Sequence, residues 1–150
     1  MRRIVCASLL ALVLSPAFAQ EERCTKTIRM GGGALAPTSL TVLPDGKRAI
    51  TGSSRSANLW DLDGEVLERK LYDGAVNAVA VFADGSRVAI ACDDGAARVY
   101  EVASGRLLRA LRAPGSLKSV AVSPDGTRLA AGGEGGALIN TLEQIGRAHV

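Results

Sequence analysis

Histidine is almost absent. The 150 residues hold one, His149, near the C-terminus, and between Gln20 and Glu143 there is none. That excludes a His-based triad, a His-ligated metal and a haem with an axial histidine from this stretch. No nucleophile stands with a base, and no CxxCH haem-attachment motif occurs. Aromatic residues make up 3% of the chain, too few for the stacking platforms on which single-stranded nucleic acid lies. Lys and Arg form no block, so nucleic acid is not an expected partner. Sustained helical periodicity is missing between residues 20 and 143. The expected catalytic, cofactor-binding and metal-binding residues are none.

Cysteine is scarce too. Of the three, Cys6 lies in the leader described next, Cys24 stands just after it, and Cys92 closes an apolar run. An exported chain would permit a Cys24–Cys92 disulfide, but the two lie far apart in the pattern, so Cys92 is expected to be a small buried hydrophobe.

The two ends read differently from the middle. Met1 to Ala19 has the form of a secretory signal peptide: Arg2 and Arg3, then apolar Ile4 to Leu14, then Pro16 and Ala17-Phe18-Ala19 before Gln20. The apolar run is well short of the roughly 20 residues that span a bilayer. The mature protein is therefore expected in the periplasm or outside the cell, with no membrane association after cleavage. Neither Cys6 nor Cys24 follows the residues that a lipoprotein signal needs. At the other end, Gln144 to Val150 is expected to be a non-native tail, since the adapter-like codons CAG ATC GGA AGA GCA CAC GTC spell it when translated. Charge follows the ends. The chain carries 18 basic and 15 acidic residues, and setting aside Arg2, Arg3 and Arg147 leaves 15 against 15.

What is present is repetition. Leu40-Thr41-Val42-Leu43, Pro44-Asp45-Gly46 and Arg48 to Gly52 recur as Ala78 to Phe82, Ala83-Asp84-Gly85 and Arg87 to Ala91. They recur again as Ser119 to Val122, Pro124-Asp125-Gly126 and Arg128 to Gly132. A third run follows in each copy: Ala57 to Asp61, Ala97 to Glu101, and Gly135 to Asn140. Val66 to Tyr72 and Leu107 to Arg112 form fourth runs, which Thr25 to Met30 matches upstream. The turn glycines Gly46, Gly85 and Gly126 lie 39 and 41 apart, and Trp60, Tyr100 and Asn140 lie 40 and 40 apart. Four short strands per unit of roughly 40–45 residues predicts an all-β chain of propeller blades. Asp-Gly suits the tight connections, and Gly31 to Pro37 reads as a connecting loop. Runs of Val, Ile and Ala that are apolar on both faces predict sheets sandwiched between neighbours.

These residues resemble the WD-repeat family of β-propellers. Trp60-Asp61 matches its signature dipeptide, Tyr100-Glu101 is a variant, and Asp45-Gly46, Asp84-Gly85 and Asp125-Gly126 stand at its first turn. The family's Gly-His pair is missing, its places taken by Asp73-Gly74 and Pro114-Gly115, so the hydrogen-bond network built on that histidine cannot form. The resemblance implies a partial propeller over residues 20–143, with repeats at about 38–72, 73–112 and 113–143 and four antiparallel strands per blade. About three blades, where a ring has about 4–8, imply an N-terminal fragment: an open arc with exposed interblade faces and a tendency to aggregate.

The resemblance further implies a scaffold for protein–protein interaction, with protein partners of unknown identity. The alternative is the propeller portion of a periplasmic enzyme or redox protein whose catalytic or cofactor module lies beyond this sequence. The candidate interaction surface is the end formed by the second-to-third and fourth-to-first loops: Arg55, Tyr72, Asp73, Asp93, Asp94 and Glu134. The bland reading of its Asp residues is that they make turns. Apart from Glu21-Glu22, Asp93-Asp94 is the one adjacent carboxylate pair, and its two side chains are expected to point apart.

Overall fold

The computed structural model describes residues 36–64 and 66–142. The leader, Thr25 to Met30 and the C-terminal heptapeptide lie outside these residues. Among them run eleven strands: β1 (Pro37–Val42), β2 (Arg48–Ser53), β3 (Ser56–Asp61), β4 (Val66–Asp73), β5 (Val76–Val81), β6 (Arg87–Cys92), β7 (Ala96–Glu101), β8 (Leu107–Arg112), β9 (Leu117–Val122), β10 (Arg128–Gly133) and β11 (Gly136–Thr141). They form antiparallel meanders in the orders β1-β2-β3-β4, β5-β6-β7-β8 and β9-β10-β11. The all-β blade architecture is as the repeats imply.

Some strand boundaries differ from expectation. Pro37 opens β1 instead of ending a loop, which a proline tolerates as the first residue of an edge strand. The first strands also stop one residue early. Leu43 leaves β1 to accept from the amide of Gly46 (2.9 Å), and Phe82 does the same for Gly85 (2.8 Å).

The first turn is built by a division of labour within Asp-Gly. Gly46, Gly85 and Gly126 take φ of 67°, 73° and 71°, a region that costs other L-residues about 1–2 kcal/mol. The preceding carboxylate gathers backbone amides: Asp45 those of Lys47 (2.8 Å) and Arg48 (3.1 Å), Asp84 that of Ser86 (3.0 Å), and Asp125 that of Thr127 (3.0 Å). These hydrogen bonds hold all three carboxyls below their usual range, Asp125 at about 2 chiefly through Ser123. The signature acids work likewise at the third turn. Asp61 accepts from the amides of Asp63 (2.9 Å) and Gly64 (3.2 Å), and Glu101 accepts from the hydroxyl of Ser104.

The middle sheet shows why its runs are apolar on both faces. Val88, Ile90, Cys92 and Tyr100 face the first sheet and join Ile50, Leu59 and Leu71 in one core. Alternate residues Ala89, Ala91, Ala97 and Val99 face the third sheet and meet Leu117, Leu129 and Ala131 in the other. Side chains alternate with period two, so one strand serves both cores. At the second joint Leu117 and Leu129 thus enter a floor of small residues, Ala89, Ala91 and Ala97, on the sheet before. Gly52 marks a close approach between the first two sheets: a Cβ there would stand 2.7 Å from Cγ1 of Val76. Cys92 is fully buried, and burial pushes its thiol up. Trp60 also keeps a polar partner without the missing histidine. Its Nε1–H donates to Oγ1 of buried Thr51 at 2.9 Å.

Candidate interaction surface

The β2–β3, β4–β5, β6–β7, β8–β9 and β10–β11 connections share one end of the stacked sheets. Backbone hydrogen bonds extend each sheet's ladder into these connections. The amide of Gly74 donates to the carbonyl of Arg55 (2.7 Å), that of Asp93 to Ala75 (3.1 Å), that of Ala113 to Gly95 (2.9 Å), and that of Glu134 to Ser116 (3.0 Å). Chain that would otherwise be loose loop is thereby fixed to the strands, and the rim is rigid.

The six expected residues fall into two groups, one at each joint. At the first joint, Asp94 grips Arg98 through both oxygens (3.0 and 2.6 Å). It also accepts from the amide of Ala96 (3.0 Å), the turn-making role of the bland reading. The guanidinium of Arg98 lies 4.7 Å from the ring centroid of Tyr72, which tilts against Tyr100 at 6.5 Å. Hydrogen bonding to Arg98 lowers the Asp94 carboxyl, that same carboxylate raises Arg98, and burial raises Tyr72. Asp73 pairs with Lys70 at 2.9 Å and is otherwise exposed. Arg55 is exposed at the tip of the β2–β3 loop.

At the second joint, Asp93 turns the other way, so the adjacent carboxylates do point apart. Its Oδ1 accepts from Ser116 Oγ (2.6 Å), Asn77 Nδ2 (3.2 Å) and Lys118 Nζ (3.2 Å). Ser116, then Asn77, then Lys118 hold this carboxyl down at about 2. Lys118 also reaches Glu134 at 3.6 Å. Asp93 therefore ties one sheet to the next, in contrast to the turn-making role expected of it.

Sequence reading missed Asn77, Arg98, Ser116 and Lys118. A signal for Asn77 was available. Thr38, Asn77 and Lys118 lie 39 and 41 apart, the same spacing as the turn glycines. Thr38 Oγ1 donates to the carbonyl of Val76 (2.5 Å), and Asn77 Nδ2 donates to that of Leu117 (2.7 Å). Each reaches the first residue of the next inner strand.

At the opposite end, a hollow of about 320 Å³ between the second and third sheets is lined by Phe82, Asp84, Arg87, Pro124 and Asp125. Arg87 lies 4.1 Å from the Phe82 centroid and fills part of the space beside it. Among the described residues, no group of three or more His, Cys, Asp or Glu is placed to hold a metal ion.

The family profile described as WD domain, G-beta repeat matches residues 23–61, 66–101 and 105–139. The chain belongs to the WD40 repeat family. Its repeats are out of phase with its sheets. The second match takes β4 with β5, β6 and β7, and the third takes β8 with β9, β10 and most of β11. The outer strand of each of the first two sheets is thus covalently part of the next repeat, which links neighbours through the chain as well as through packing. Among solved structures, a chain of Kuenenia stuttgartiensis hydrazine synthase is similar in fold. Its TM-score is 0.58 at 22% identity, over 63% of this chain and 29% of that one. The WD40 chain therefore spans under a third of that relative's length. A comparison with curated proteins returns no match.

Proposed function

We propose that this WD40 chain is an exported scaffold that binds a protein partner on the rim carrying Arg55, Asp73, Asp93 and Glu134. WD40 domains commonly mediate protein–protein interaction. The observation that carries the reading is the rim's construction. Four backbone hydrogen bonds that extend the sheets' ladders, and the Asp93 cluster that bridges two sheets, hold its loops in place. A partner meeting loops already held in place loses less conformational freedom on binding. Arg55, Asp73 and Glu134 stay exposed and carry both signs of charge, which suits a partner surface of mixed charge.

The test is affinity capture from the source organism's exported fraction, followed by titration of the captured protein. Charge reversal at Arg55, Asp73 and Glu134 should weaken binding by about tenfold or more, while reversal of Asp63 at the opposite end should not. Equal binding by all these variants would overturn the assignment to this rim. Export has its own test: mass spectrometry of the processed protein should find Gln20 as the first residue, and retention of Met1 would contradict it.

A second reading is that these sheets form the propeller portion of an enzyme or redox protein. In its favour, a chain named for an enzyme, hydrazine synthase, shares the fold. A fold shared at this identity does not carry chemistry with it, and the rim's construction supports the scaffold better.

A further inference from the structure

We propose that the hollow between the second and third sheets binds a free α-amino acid, its carboxylate on Arg87 and its ammonium between Asp84 and Asp125. The hollow lies at the end opposite the rim, so the proposal stands or falls independently of the scaffold reading.

Comparison of the first turns shows why there is space here. They run Leu43-Pro44-Asp45-Gly46, Phe82-Ala83-Asp84-Gly85 and Ser123-Pro124-Asp125-Gly126. At the joint between the first two sheets, the proline of one turn packs on the glycine of the next: a Cβ on Gly85 would stand 3.2 Å from Pro44 Cδ. At the second joint Ala83 stands where that proline would be. The atoms nearest the same point on Gly126 are Nη2 of Arg87 (3.3 Å) and Cδ1 of Phe82 (3.4 Å). The proline ring is missing, and about 320 Å³ is left beside Ala83 and Pro124. Small-molecule sites begin at roughly this size, about 300 Å³.

The arginine of this turn is also used differently. Each turn has an arginine three residues after its Asp. Arg48 spends its guanidinium on that Asp, Nε donating to Asp45 Oδ2 at 2.8 Å. Arg87 instead lies over the ring of Phe82, 4.1 Å from its centroid, and the first repeat has Leu43 where that ring stands. The ring attracts the cation and fixes its position. Among the described residues Arg87 makes no salt bridge, so its planar fork of N–H donors is open to a ligand.

The two carboxylates are half spent. Asp84 takes the amide and hydroxyl of Ser86 on Oδ1 (3.0 and 2.8 Å). Asp125 takes Ser123 Oγ, the Thr127 amide and Thr127 Oγ1 on Oδ1 as well (2.6, 3.0 and 2.8 Å). Among the described residues, Oδ2 of each accepts no hydrogen bond from a side chain or an amide. The hollow therefore offers one guanidinium beside two carboxylates. A bare anion there meets the carboxylates, and a bare cation meets the guanidinium. A small zwitterion satisfies both signs at once. An α-amino acid carries both charges on one carbon. Its carboxylate matches the guanidinium fork, and its ammonium has donors enough for both Oδ2 atoms.

The experiment is ligand-observed saturation-transfer NMR on the full chain with L-alanine, acetate and methylammonium, each of which reports through a methyl group. Alanine should show saturable binding, with acetate and methylammonium weaker by at least about tenfold, since each makes half of the contact. Ala83→Pro restores the residue found at the other two turns and fills the hollow. The Ala83 amide donates no backbone hydrogen bond, so a proline fits there. This variant should weaken alanine binding by at least about tenfold, and so should Arg87→Gln. Circular dichroism checks that each is folded, and either variant alone is decisive. No saturable signal from alanine overturns the proposal. Acetate or methylammonium binding as well as alanine overturns it too, because simple ion pairing then accounts for the signal. Alanine binding unchanged in a folded variant places the contact elsewhere and overturns it.

Discussion

The side-chain amide of Asn77 donates to the carbonyl oxygen of Leu117 across the gap between the second and third sheets, at 2.7 Å. Thr38 makes the same reach to Val76 one repeat earlier. These latches join inner strands that have no backbone ladder between them. Asn77→Ala should lower stability by about 0.5–1.5 kcal/mol, the net worth of one such bond. Asn77→Asp should cost more at pH 7, because it sets a carboxylate against Asp93, and should approach the alanine value in acid. Urea denaturation at pH 7 and pH 3 measures both.

Asp93 makes the second joint sensitive to acid. Its carboxyl is lowered from 3.8 to about 2 by Ser116, Asn77 and Lys118. A depressed folded-state pKa contributes stability that is present above the unfolded value and lost as pH falls through the folded one. The difference in melting temperature between wild type and Asp93→Asn should therefore be full above about pH 4–5 and fade toward pH 2. Thermal scans across that range check it. Ser116→Ala should shrink the pH-dependent part without reversing it.

Gly52 and Val76 should behave as a coupled pair. A Cβ at Gly52 would stand 2.7 Å from Val76 Cγ1 and 3.3 Å from its Cβ. Gly52→Ala should destabilise by about 1–3 kcal/mol, as overpacking does. Val76→Ala removes the obstructing methyls, so the double variant should be more stable than the sum of the single losses predicts. A double-mutant cycle by chemical denaturation reads the coupling. Additive losses would mean that the clash is relieved elsewhere.

Trp60 is the chain's only tryptophan, so its fluorescence reports its own site. Thr51→Val leaves its buried Nε1–H without the Thr51 acceptor and should cost about 1–3 kcal/mol. Trp60→Phe removes the donor together with the need for it and should leave Thr51→Val nearly neutral in that background. Unfolding of the three variants followed by circular dichroism tests this.

How much of this was legible in the sequence depends on the kind of contact. The sheets were legible because Val88, Ile90 and Cys92 alternate with Ala89 and Ala91, and a period of two assigns each set to one face. The turns were legible because Gly46, Gly85 and Gly126 repeat with Asp before them. The sandwiching of the middle sheet followed from apolar residues on both of its faces. The joints were less legible. Asp93 meets Ser116 and Lys118, which stand 23 and 25 residues away, and no local pattern announces a partner in the next repeat. A charged residue in a strand reads as solvent-facing, yet the Arg98 guanidinium lies between Asp94 and the Tyr72 ring. Pro37 reads as the end of a Gly-rich loop, and it can open β1 because β1 is an edge strand.

The central claim is that one sheet serves two cores, with a neighbour packed on each face. Hydrogen–deuterium exchange with peptide-level mass spectrometry in dilute solution tests it most directly. Peptides over Arg87–Cys92 and Ala96–Glu101 should exchange slowest, because opening them breaks both cores. Peptides over Gly136–Thr141, on the sheet with one open face, should exchange markedly faster. Equal exchange in the two sheets, or slower exchange in β11 than in β6, would contradict the account.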